Sequence, residues 1–173
     1  DGSTGVGLNV AGIFALSPAA IFVSTNSGML FTNQPEQVPQ ITVERSAVAV
    51  NSGEGTADFG SVEVTQNVPV TFTIRNTGTT DLEGLALGKD GTHAGEFSLG
   101  NLTDLDLARG EFTEFTVTFA PTAKGVRTAN VRITSNDPTE PSFLIRVTGS
   151  GFYVPVAITQ EPQNVAAALG GPV

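Results

Sequence analysis

The sequence has no cysteine and no tryptophan, a single histidine, a single tyrosine, and only eight Lys and Arg residues among 173. The missing cysteine removes disulfide frameworks, thiolate metal sites and a cysteine nucleophile together. It does not choose a compartment, since a large sandwich is stable without bridges. Without tryptophan the chain is not an antibody-type domain, whose core Trp packs on a disulfide. Seventeen acidic residues against eight basic ones leave a net charge of −9. The clustered Lys and Arg that hold a phosphate backbone are lacking, so nucleic acid is not an expected partner. Nor is a membrane span expected, because no apolar run approaches the roughly 20 residues needed. The most apolar stretch, Ala11 to Val23, is interrupted by Pro18, and no Lys or Arg precedes Arg45. A signal peptide needs a basic start. A secreted chain is therefore expected to have lost its signal already.

Glycine, proline, threonine and valine are plentiful, and they fall in β-strand patterns. Residues 1–40 are small, apolar and nearly uncharged; 41–151 carry strong alternation; 152–173 form a short third segment. In the middle segment, Val68, Val70, Phe72 and Ile74 share one face, with Thr71, Thr73 and Arg75 opposite. Phe115, Val117 and Phe119 repeat the pattern, as do Ala129, Val131 and Ile133, then Phe143, Ile145 and Val147. Ile41 to Val50, Phe59 to Val64, Leu82 to Leu87 and Phe97 to Leu99 complete the set. Such alternation is what a strand needs when one face is core and the other is wet. Seven or eight short strands divided by turns, with no helical stretch, predict an all-β, immunoglobulin-like sandwich of two sheets.

The stretches "ADFGSV", "FTIRNTGTTDLEGLAL", "GEFSL" and "FTVTFAPTAKGVRTANVRITSNDPTEPSFLIRVTGSG" occur in this order at close spacing. Together they resemble the ASH (Hydin-type) domain of bacterial surface proteins, also called the choice-of-anchor D module, over about residues 41–151. Arg109 departs from the family pattern, which usually has Pro before that Gly. The resemblance implies an immunoglobulin-like sandwich related to the major sperm protein fold. It also implies a non-catalytic spacer or interaction module, often in tandem on secreted or envelope proteins, and supplies no catalytic residues. "VAITQEPQNVAAALGGPV" resembles the opening strands of a further Ig-like domain.

Residues with chemical potential are few. His93, in the Gly-rich "GKDGTHAGEF", has no nucleophile or orienting carboxylate assigned to it and is expected to be an exposed loop residue. Asp104 and Asp106, with Glu111 close behind, are the candidate oxygen ligands for a hard cation such as calcium. They lack the dense acidic loop of an EF-hand, and on a strand they would share one solvated face. No other cofactor is expected. Asn136, Asp137 and Glu140 form a second acidic turn that turn chemistry already explains. The "NLT" at Asn101 is a formal glycosylation acceptor. In a bacterial protein it reads as chance. Gly170-Gly171 lacks the Lys and Ser/Thr of a phosphate loop.

The N-terminal segment is the anomaly. Ile13, Phe14, Leu16, Ile21, Phe22 and Val23 put apolar side chains on successive residues, so both faces of a strand there require burial. Either the segment packs on its own domain, or it is donated to an open sheet edge of a neighbouring subunit. Head-to-tail contacts of the second kind generate filaments. The expected role is a non-enzymatic structural or assembly module of a secreted bacterial surface protein. It would self-associate through its terminal strands or contact neighbouring domains of the same protein. The alternative is an adhesion module that binds a surface glycan or protein.

Overall fold

The computed structural model describes residues 10–17, 20–25, 28–33 and 37–155, the side chains from residue 37 onward. Three strands, β1 (Val10–Ser17), β2 (Ala20–Thr25) and β3 (Gly28–Asn33), pair antiparallel in the order β1-β2-β3 and form a sheet of their own. Nine more complete the described chain: β4 (Ile41–Arg45), β5 (Val48–Val50), β6 (Ala57–Glu63), β7 (Val68–Asn76), β8 (Ala86–Asp90), β9 (Phe97–Leu99), β10 (Phe112–Phe119), β11 (Gly125–Thr134) and β12 (Ser142–Phe152). They make the two sheets of a sandwich, β5-β4-β7-β10-β9 and β6-β12-β11-β8.

Alternation decides which residues meet between the sheets. Phe72, Ile74, Val117 and Phe119 from one sheet face Val131, Ile133, Ile145 and Val147 from the other, all at most 1% exposed. Each such side chain contributes roughly 1.5–3 kcal/mol by leaving water. Phe97 stacks on Phe119 at 4.7 Å, and Phe59 meets both rings edge-on. Gly149 makes room for that stack, because a Cβ there would lie 2.3 Å from the Phe119 ring.

The sandwich has nine strands where seven or eight are expected, and the extra one has a local cause. The run Ile41 to Val50 is two strands, folded back at Ser46 and Ala47 with φ of 51° and 62°. A two-residue hairpin needs positive φ at both central residues, and Gly, Asn or Asp normally supply it. Neither residue is of that kind, so the turn carries no sequence signal. The expected strand at Leu82–Leu87 is displaced to Ala86–Asp90, since Leu82 pairs only as an isolated bridge with Leu107.

The chain enters the sandwich at one pole and leaves at the other. Ile41 lies opposite Asn76, where β7 ends, and the loop between β11 and β12 closes over the same pole through Asp137. Phe152 ends β12 beside Glu63, and Gly151 sits against Pro121 and Ala123, just beyond the end of β10.

Candidate functional site

The polar residues of the sequence motifs meet at the pole where the chain enters. Asn76, the Asn of "NTG", is fully buried. Its Nδ2 donates to the carbonyls of Thr80 (2.8 Å) and Leu107 (2.9 Å), and its Oδ1 accepts from Gly78 N–H at 3.0 Å. Gly78 is required there, because a Cβ would lie 2.4 Å from the backbone of Val38 and Gln40. In "SNDP", Asn136 accepts from Glu83 N–H and donates to Asp81 O. Asp137, 1% exposed, accepts from Ile41 N–H through Oδ2. Its Oδ1 accepts from the N–H groups of Thr139 and Glu140 and from the Thr139 hydroxyl. Burial raises the affinity of this carboxylate for a proton, but those four hydrogen bonds outweigh burial and hold its pKa below the ordinary value. Asp137 fastens its loop to the start of β4, whereas Asn76 and Asn136 hold the loop that follows β7.

The cation candidates lie in the loop that precedes β10. Asp104 and Asp106 are not on a strand; only Leu107 in that stretch pairs, with Leu82. Asp106 Oδ1 accepts from Gly84 N–H at 2.9 Å, Glu111 Oε2 from Ala108 N–H at 3.0 Å, and Asp104 Oδ2 from the Thr103 hydroxyl at 3.1 Å. The three carboxylates line one shallow depression, and so does Arg75, whose guanidinium sits over the Phe112 ring at 5.0 Å. A resident guanidinium opposes a second cation. Among the described residues no group of three His, Asp or Glu is placed to hold a metal.

His93 is half-buried rather than an exposed loop residue. Its Nδ1 accepts from Thr128 N–H at 3.1 Å, which pins the turn between β8 and β9 onto β11. Beside it Glu96 pairs with Arg127 at 3.2 Å and accepts from both N–H and hydroxyl of Thr122. With its carboxylate tied up in this way, Glu96 has no free oxygen with which to orient an imidazole as a base.

The six candidate assembly residues fall on two neighbouring strands, Ile13, Phe14 and Leu16 on β1 and Ile21, Phe22 and Val23 on β2. Ile13 is opposite Val23, and Phe14 is opposite Phe22. Residues 156–173, read as the start of another domain, lie outside the described residues.

One feature escaped sequence reasoning. The edges of the two sheets, β5 and β6, border a groove of about 420 Å³ lined by Val48, Val50, Ala57 and Ile145 and by the guanidinium-bearing Arg45 and Arg146. Arg45 crosses from one sheet to the other and donates to Asp58 O at 2.8 Å. The signal lay in Arg146, an outward position of β12, but nothing local says what stands beside it.

Among curated proteins none matches this sequence. A protein of unknown function from Porphyromonas gingivalis W83 shares the fold, with a TM-score of 0.52 at 15% identity, covering 78% of this chain. The chain spans 64% of the length of that protein. The ASH / PapD-like domain of human CEP192 aligns at a TM-score of 0.48 and 16% identity, covering 72% of this chain and 92% of that domain. The VesB protease of Vibrio cholerae aligns at 0.45 and 15% identity, covering 76% of this chain and 41% of the protease. With residues 50–150 matching it, more than half of its length, the chain belongs to the HYDIN/CFA65/VesB-like, Ig-like domain family.

Proposed function

We propose that this chain is a non-enzymatic structural module of a secreted bacterial surface protein, linking its neighbouring domains in series. The observation that carries the reading is the placement of the two ends of the sandwich at opposite poles. β12 alone runs 11 residues, which spans about 36 Å at the rise of an extended strand. A module threaded end to end transmits tension along its strands and spaces its neighbours by that length. The buried polar residues support the same reading, since they clamp loops and leave no reactive group free.

Within this role, self-association runs through the N-terminal strands. β1 and β3 are the outer strands of their sheet, and an outer strand offers unpaired backbone groups to another chain. The sequence of β1 and β2 is apolar on successive residues, which favours a covered sheet, and addition of strands between copies generates a filament. The test compares residues 1–173 with the same chain lacking residues 1–40, by light scattering and electron microscopy. Polymers from the full chain and monomers from the shortened one are expected. Monodisperse monomers from both would overturn assembly through these strands. Ligand capture that survives the truncation would favour the adhesion reading.

A further inference from the structure

We propose that the groove between β5 and β6 is a binding site for an extended apolar peptide segment carrying one acidic side chain. Three independent features converge on it. The first is charge. Among the described residues the two ion pairs use Arg127 and Arg132, and Arg75 covers Phe112. Arg146 is exposed, and among the described residues its side chain has neither an ion pair nor a hydrogen bond, although the chain has 17 carboxylates against eight cations. Arg45 lines the same groove and is held in place by Asp58 O. A planar guanidinium left free beside an apolar wall matches a carboxylate, which it grips with two parallel hydrogen bonds.

The second feature is the backbone. In the two-residue hairpin, Arg45 and Val48 form the hydrogen-bonded pair, so Glu44 and Ala49 form the next, non-bonded one. The N–H and C=O of Ala49 therefore point away from β4, at the rim of the groove that Ala49 helps to line. An added strand finds a donor and an acceptor there. The third feature is the apolar wall. Val48 is 67% exposed, and Val50, Ala57 and Ile145 continue the surface inward. Side chains at alternate positions of an extended peptide fall on such a wall, and those between face water. Glu54 also lines the groove and accepts from Asn51 Nδ2, so a second acidic side chain is repelled. The site therefore prefers a single carboxylate.

Binding in the groove does not depend on assembly through the N-terminal strands. The probe is an acetylated, amidated Val-Asp-Val-Thr-Val peptide, titrated into ¹⁵N-labelled residues 37–155 and followed by amide shifts. These residues keep the groove without the strands expected to polymerise, and a dispersed amide spectrum reports that they fold. Shifts are expected at Ala49, Val50, Thr56 and Ala57. Binding by R146Q, and by wild type to Val-Asn-Val-Thr-Val, is expected to be weaker by about tenfold or more. Arg146 is solvent-exposed, so R146Q is expected to melt with the wild type, and R146K, which keeps the charge without the fork, to bind in between. Absence of shifts in β5 at about 1 mM peptide would overturn the proposal, as would equal binding by R146Q. If sodium acetate alone reproduces the shifts at equal concentration, the site takes small carboxylates and the peptide assignment is wrong.

Discussion

Asp137 shows how one residue can tie the ends of a domain together. Its carboxylate satisfies the first N–H of β4 and three donors of its own turn, partners that lie up to 96 residues away. Asparagine has the same shape but only one acceptor oxygen, so Asp137→Asn leaves either Ile41 or the turn without a partner. At pH 7 this substitution is expected to cost about 2 kcal/mol, the penalty of an unsatisfied buried donor. The pH dependence comes from the lowered pKa. The ionised form stabilises the fold above the unfolded value of about 3.9, and that contribution is lost as pH falls through the lower folded value. The gap between wild type and variant should therefore close in acid. Urea unfolding of both proteins between pH 7 and pH 2 measures it. A constant gap would mean that the carboxylate charge contributes nothing.

Among the elements, the β4–β5 hairpin turns through two successive non-glycine residues at positive φ. Ser46 and Ala47 both occupy the left-handed region, where a Cβ costs roughly 1 kcal/mol per residue. Replacing them by the pair that this turn favours, Ser46→Asn with Ala47→Gly, should stabilise the domain by about 1 kcal/mol and raise Tm by about 4 °C. Calorimetry reads the shift. No change would mean that the hairpin is not closed in solution. The same hairpin explains where element prediction failed. Alternation identified the apolar residues of Ile41 to Val50 correctly, but it does not register a fold-back whose turn lacks Gly, Asn and Asp. The strand placed at Leu82–Leu87 failed for a related reason: Leu82 and Leu85 are buried as strand residues would be, yet their backbone bonds go to Leu107 and Leu105.

For the whole molecule, one continuous core runs between the two sheets of the sandwich, formed by twenty buried apolar residues of the described span. A chain of residues 37–155 is therefore expected to fold alone and unfold in a single two-state transition, with equal calorimetric and van't Hoff enthalpies. Two transitions, or failure to fold, would show that residues outside this span complete the core. In the proposed roles the N-terminal sheet would serve assembly and the sandwich would serve spacing and the groove, so truncation separates the two proposals.

By itself the sequence determined most of the strands, the inward Phe, Val and Ile residues, the sandwich and its family, because alternation and turn residues are local properties of contiguous stretches. It also read Asn136, Asp137 and Glu140 as turn chemistry, which the Thr139 and Glu140 N–H groups donating to Asp137 Oδ1 bear out, without saying what that turn is fastened to. Only the tertiary structure decided that. Asn76 finds Leu107 O, 31 residues away, and Asp137 finds Ile41 N–H, because the pole brings their loops together. The groove is the same kind of fact. Arg45 and Arg146 come from the first and last strands of the sandwich, in different sheets, and both line the one groove. No pattern along the chain encodes the distance between two sheet edges, since that distance is fixed by how the core between them packs.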